Sequence, residues 1–346
     1  MQQTEPRAIL LEIPGWNSTV RLQIFQRLLS AGLRLVLCFC LYNPASVLAE
    51  DCQRGTLDDR YCDRDGNLVA DGLTDNAIDP RALVFSYTPV EDPAVYRQVW
   101  SEFTEYLAEV TGKRVIFFPV QSNAAQIEAM RSGRLHVAGF NTGSTPLAVN
   151  CAGFVPFAMM AAADGSYGYE MEIITRSDSD IQTVTDLAGK TLAFSSPTSN
   201  SGYKAPVALL SRVFSMNVDK DYGSVFSGKH DNTLLGVVNR DYEAGAMASS
   251  VRKRMLARGV IKVDEVRLLY RSETFPTTAF GHAHQLSADL IEKIRLAFFQ
   301  FDWEGSRLQA EFRESGEAQF IPIDYKTTWQ VIRDIDTANQ VSYGCR

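Results

Sequence analysis

Lys190-Thr191-Leu192-Ala193-Phe194, followed by Ser195-Ser196-Pro197-Thr198-Ser199-Asn200-Ser201-Gly202-Tyr203, is the stretch on which the reading of this chain turns. The first five residues suit a short buried strand, and residues 205–214 carry a helical apolar pattern. In the turn between them, five of nine residues bear a small hydroxyl and one an amide. A strand, a hydroxyl-rich turn and a helix start together suit a tetrahedral oxyanion. First-turn N–H groups have no partner inside the helix, and Ser and Thr add short donors without bulk. A plain N-capped helix after a loop uses the same residues, because Ser and Asn are favoured caps.

Upstream the alternation of strand and helix repeats. Leu83-Val84-Phe85-Ser86-Tyr87 is an apolar strand, and residues 96–110 place Val99, Trp100, Phe103 and Leu107 at helical spacing before Gly112 stops them. A strand over 114–120, a helix over 124–132 and a strand over 135–140 follow. Such alternation gives a parallel sheet covered by helices, whose ligands sit beyond the carboxyl ends of the strands. The loops to watch are therefore 88–92, 121–123 and 141–145. The last opens Asn141-Thr142-Gly143-Ser144-Thr145-Pro146, a second hydroxyl-rich turn. It either faces the first turn across a cleft or is an ordinary capped loop.

Residues 167–175 and 274–281 are strand-like and flank the middle of the chain. If the chain crosses to a second lobe at one and returns at the other, two lobes follow: 81–172 with 276–346, and 173–275. The inserted lobe contains the opening stretch and Ser227-Gly228-Lys229-His230-Asp231, where His230 sits at a strand-to-helix turn facing an anion or simply packed. The final segment holds an amphipathic helix over 288–301.

The beginning reads as an export signal. Arg21, Arg27 and Arg34 precede Leu35-Val36-Leu37-Cys38-Phe39-Cys40-Leu41, and Val47-Leu48-Ala49 ends in small residues. The expectation is a cleavable segment over 1–49, cut after Ala49, and a periplasmic product. The apolar core is too short to span a bilayer. Cys52, Cys62, Cys151 and Cys345 remain, and an even number in an exported chain favours disulfides. Three pairings exist; Cys52–Cys62 and Cys151–Cys345 are expected, the first closing a short loop and the second tying down the tail. Residues 50–80 form a polar, Asp-rich arm. Asp63-Arg64-Asp65-Gly66-Asn67 hints at a calcium loop, but counting from Gly66 puts Tyr61 first and Gly72 last, so no metal is expected. The 346 residues, 45% apolar and 22% charged, fit a soluble protein of about two domains. Their net charge of −7, with no basic patch, argues against nucleic acid.

With these stretches in hand, residues 83–344 resemble the solute-binding proteins of phosphonate, phosphite and phosphate ABC importers. The resemblance rests on Val120-Gln121-Ser122-Asn123, Ala138-Gly139-Phe140-Asn141-Thr142-Gly143, Pro197-Thr198-Ser199-Asn200-Ser201-Gly202-Tyr203 and Ser227-Gly228-Lys229-His230-Asp231. It implies a two-lobed α/β periplasmic-binding fold of type II, each lobe a mostly parallel sheet flanked by helices and joined by two hinge strands. It also implies capture of a phosphorus oxyanion for a membrane permease, with no cofactor and a monomeric state. By the same resemblance Ser199, Asn200 and Ser201 hold the oxyanion, although the family often has threonine where this chain has Asn200. His230 matches the ligand-contacting histidine; first-lobe contacts fall near Tyr87, Thr88 and Glu91, and near Phe140, Asn141 and Thr142. Aminophosphonate binders place a carboxylate where this chain has Ala246-Met247-Ala248-Ser249-Ser250, which shifts the expected ligand towards phosphite, phosphate or a simple phosphonate.

Since the marked loops hold no arginine, recognition mainly by neutral dipoles is expected, with Glu91 or Asp92 accepting a hydrogen bond from a protonated ligand and so favouring a monoanion. The alternatives are another oxyanion such as a sulfonate, a thiamine precursor, or a periplasmic ligand sensor. A serine hydrolase would need small residues two positions either side of its nucleophile and an oriented base, which Ser199-Asn200-Ser201-Gly202 lacks.

Overall fold

The computed structural model describes residues 52–345. The expected signal over 1–49, its cleavage after Ala49, and Cys38 and Cys40 lie outside the described residues. In chain order the strands are β1 (Ala82–Tyr87), β2 (Arg114–Phe117), β3 (Val137–Phe140), β4 (Phe154–Ala161), β5 (Tyr169–Arg176) and β6 (Thr191–Phe194). They continue with β7 (Gly223–Phe226), β8 (Ala244–Ala248), β9 (Val266–Phe275), β10 (Ala279–Ala283) and β11 (Gln319–Pro322). They form two sheets, ordered β11-β4-β10-β3-β1-β2 and β7-β6-β8-β5-β9.

In each sheet three strands run parallel, β3-β1-β2 in one and β7-β6-β8 in the other, because helical crossovers join them. The remaining strands are antiparallel to their neighbours. The mostly parallel sheets expected from sequence are therefore mixed. A chain that leaves for a second lobe and comes back adds strands that run the other way. It crosses between the sheets through residues 162–168 and again through 276–278.

One face of the first sheet is packed with aromatic rings, among them Phe85, Trp100, Phe103, Phe280, Phe298 and Phe320. This packing breaks the single helix expected over 96–110 into Pro93–Val99 and Ser101–Thr111. The break falls at Trp100 (φ −90°, ψ 1°), whose indole is fully buried against Phe85 and Phe280. Both expected disulfides form, Cys52–Cys62 and Cys151–Cys345. The arm from Cys52 onwards is irregular but not merely solvated. The Tyr61 ring meets His284 edge-on at 4.9 Å, and the Asp58 N–H donates to the Asn150 carbonyl at 2.9 Å. Among the described residues, no helix is long and apolar enough to cross a membrane.

Candidate functional site

Loops from the strand ends of both sheets meet over a cavity of about 50 Å³. At roughly 10–15 Å³ per water, that is room for about four waters, the size of a five-atom tetrahedral anion rather than a drug-sized ligand. The two sequence-marked turns do face each other. A Cβ on Gly143 would lie 2.4 Å from both the Asn200 nitrogen and the Thr198 carbonyl oxygen, so only glycine lets the backbones approach this closely. Around that contact, Asn123 Nδ2 donates to Thr198 Oγ1 at 2.7 Å and Lys204 Nζ to the Gly143 carbonyl at 2.8 Å. The His230 N–H donates to the Val90 carbonyl at 3.2 Å.

The hydroxyl turn is wound as a single wide turn, Asn200–Lys204, ahead of the helix Ala205–Val213. Ser199 caps it, its Oγ accepting from the Gly202 N–H at 3.0 Å. The tautomer of His230 follows from its partners. Nδ1 accepts the Ala248 N–H at 3.2 Å, a group that can only donate, so the ring proton sits on Nε2. Burial holds this ring neutral, its pKa lowered to about 4. Nε2 lies 3.2 Å from Ser199 Oγ and donates to it. With both lone pairs of Ser199 Oγ accepting, its own proton is left to point at the cavity. The relay runs from the Ala248 N–H through His230 and Ser199 to whatever lies beyond. Asn200 lines the same wall, is 1% exposed, and neither its Oδ1 nor its Nδ2 makes a well-formed hydrogen bond within the protein, the buried Tyr169 hydroxyl of the same wall being its polar neighbour. Buried amides are rarely left so, because each unmade bond costs about 1–3 kcal/mol.

Of the residues singled out from sequence, Ser199, Asn200, Ser201, His230, Tyr87, Asn141 and Thr142 line the cavity. Asn141 Oδ1 accepts the Ser144 N–H at 2.9 Å, leaving the amide NH₂ of its side chain as a donor. Thr142 Oγ1 donates to the Pro276 carbonyl at 2.8 Å and so ties this turn to the crossing segment. Three others do not face the cavity. Phe140 is buried against Phe154 at 4.8 Å, and Thr88 Oγ1 bonds Asn123 Oδ1 at 3.3 Å. Glu91 is enclosed by Arg254, whose Nη2 lies 2.7 Å from Oε1, by Arg258, and by the Tyr96 hydroxyl at 3.1 Å. Burial pushes the Glu91 carboxyl up, but the two guanidiniums outweigh it and hold the group below its usual range. Asp92 is occupied as well, accepting the Ala94 N–H as a helix cap.

Two charged residues in the wall were not marked by the sequence. Arg254, on the helix Ser249–Ala257, reaches the cavity but has its charge matched by Glu91. Glu317, on the segment before β11, is buried and bonded on Oε2 by the Ser315 hydroxyl. Burial raises its carboxyl above the usual range against the pull of Arg254. Neither stands near a motif, and the only hint was the basic run Arg252-Lys253-Arg254.

Two α/β lobes whose loops enclose a small polar cavity have the architecture of a solute-binding receptor. Residues 85–328 match the family described as ABC transporter, phosphonate, periplasmic substrate-binding protein, and the chain belongs to that family. It is 27% identical over 231 residues to the phosphate-import protein PhnD of Mycolicibacterium smegmatis, covering 64% of this chain and 72% of that one. Among solved structures it resembles a binding component of the ABC phosphonate transporter of Pseudomonas aeruginosa, with TM-score 0.68 and 20% identity over 76% of this chain and 87% of that one. It also resembles PhnD1 of Prochlorococcus marinus, solved with methylphosphonate, with TM-score 0.66 and 17% identity over 76% and 99%. At these identities the two structures speak for the fold.

Proposed function

We propose that this chain captures a phosphorus oxyanion (phosphonate, phosphite or phosphate) between two lobes, drawn from sequence as 81–172 with 276–346 and as 173–275, with the first boundary moved to the crossing at 162–168 so that β5 stays whole in the second lobe. It works as an exported monomer, freed of residues 1–49, and hands the ligand to an ABC permease. The observation that carries this reading is the Asn200 side chain, buried in the cavity wall with donor and acceptor both unmatched. An oxyanion beside it takes the Asn200 NH₂, the Ser199 hydroxyl and the free amides of the helical turn. Recognition is by neutral donors, since Arg254 is already balanced by Glu91.

Glu317 takes the part that the sequence reading gave to Glu91 or Asp92. A carboxylate in the wall accepts a hydrogen bond from P–OH or, as the protonated acid, donates one to the dianion; in both cases one proton lies between it and the ligand. Sulfate, which carries no such proton near neutrality, is disfavoured. The test is calorimetric titration with phosphite, methylphosphonate, phosphate and sulfate over about pH 6 to about pH 9, where the shared proton is lost. Wild-type affinity for the phosphorus ligands should fall by about tenfold or more across that range, and Glu317→Gln should flatten the fall. No phosphorus ligand binding at millimolar levels overturns the function; tight binding with a flat wild-type profile overturns only the role of Glu317.

A further inference from the structure

We propose that the arm segment from Asp63 to Asp71 is a calcium-binding loop. Counted from Gly66, the segment has no carboxylate at the first ligand position. The backbone resets the count. Leu68 is left-handed, φ 69°, the conformation the sixth residue of such a loop needs, and its N–H donates to Asp63 Oδ2 at 3.1 Å. Asp63 is then first, Asp65 third, Asn67 fifth, the Val69 carbonyl seventh and Asp71 ninth. The intervening amides fold the loop around this set, Asn67 N–H to Asp65 Oδ1 at 3.1 Å and Val69 N–H to Asn67 Oδ1 at 2.9 Å.

Spacing alone does not make a site, and the second observation is Asp63 itself. It is 5% exposed, its Oδ1 has no hydrogen-bond partner, and it lies beside the Asp65 carboxylate. Two adjacent carboxyls, one of them buried, need either a shared proton or a bridging cation between them, and the oxygens of the surrounding loop offer a cation its remaining ligands. The donors are all oxygens, on an irregular loop rather than a rigid octahedral cage, which suits calcium over magnesium. Among the described residues, no three His, Cys, Asp or Glu side chains converge on one point. The site therefore rests directly on the Asp63 and Asp65 carboxylates, the Asn67 amide oxygen and the Val69 carbonyl, while Asp71, which accepts the Arg64 N–H at 3.2 Å, acts at the ninth position through water. Thr74 stands where stronger loops carry a bidentate glutamate. A weak site of the kind seen in extracellular modules follows. Its effect is to fix the arm to the first lobe, where His284 Nδ1 already meets the Asp71 carbonyl at 3.1 Å. It leaves the oxyanion cavity untouched.

Calorimetric titration of the mature chain with calcium chloride and magnesium chloride tests this, with melting followed in calcium and in chelator. One calcium per chain is expected, with a dissociation constant of about 10⁻⁴–10⁻³ M, magnesium at least about tenfold weaker, and a melting rise of about 2–4 °C. Asp65→Asn, at an exposed position, should weaken calcium binding by about tenfold while oxyanion binding by the same sample shows that it is folded. Asn67→Ala is the second variant. No calcium heat and no melting shift at several millimolar would overturn the proposal. So would calcium affinity unchanged in both variants, or magnesium binding as tightly as calcium.

Discussion

At the residue scale the central feature is the Asn200 amide and the Ser199 hydroxyl, whose hydrogen bonding is incomplete without a ligand. Asn200→Ala removes a buried amide that makes no well-formed hydrogen bond in the protein and has the Tyr169 hydroxyl as its polar neighbour. Stability in urea without ligand should therefore stay the same or rise, while oxyanion affinity falls by about 10- to 100-fold. Equal losses in both would mean that the amide has a structural partner. His230 offers a pH test with a definite sign. Its pKa is lowered from the usual 6.5 to about 4 by burial. Above pH 6.5 neither folded nor unfolded chain protonates it. Between that pH and about 4 the unfolded chain takes a proton the folded ring refuses, so stability falls as pH drops. Glutamine at this position can accept from the Ala248 N–H and donate to Ser199 without titrating. His230→Gln should thus lose less stability between pH 7 and pH 4, by on the order of 3 kcal/mol at most, in urea unfolding. His282, also lowered to about 4 by burial, contributes equally to both proteins and cancels.

At the element scale, what was legible and what was not follows from strand geometry. The strand, hydroxyl turn and helix around Ser199–Ser201 were readable because local chemistry alone builds them. Phe140 and Asn141, or Tyr87 and Thr88, could not be separated by type, because neighbours at a strand end point opposite ways. Phe140 turns to Phe154 while Asn141 turns to the cavity. Glu91 was misassigned because the arginine that claims it is 163 residues away, and Glu317 enters the wall through tertiary folding with no local signature. Gly143 belongs to this scale too. Its φ is not in the left-handed region, so alanine is tolerated by the turn itself, and its Cβ meets the backbone of Thr198, Ser199 and Asn200 in the other lobe. Gly143→Ala should hold the lobes apart and weaken oxyanion affinity by about tenfold or more, as a backbone clash that the closed form alone feels. Solution scattering should show no compaction on adding ligand; compaction equal to wild type would show that the turns do not meet on closure.

At the scale of the whole molecule, contacts between the lobes ring the cavity. Glu91 with Arg254 and Arg258 lies on one side, and Lys204 with Gly143 and Asp336 on the other. Lys204 Nζ sits 2.8 Å from Asp336 Oδ1 on the C-terminal helix, and the chain ends in the disulfide to Cys151, so the tail spans both lobes. Charges buried in this way tend to define one closed geometry more than they add stability. These pairs fix how the two lobes meet, so the cavity between them takes one geometry when they are together. The most direct test of the account is a crystal structure of the mature protein with methylphosphonate. Phosphonate density is predicted between the lobes, with oxygens in hydrogen-bond reach of Ser199 Oγ and Asn200 Nδ2. Density outside the cavity, or a ligand there that leaves both of these groups unbonded, would contradict it.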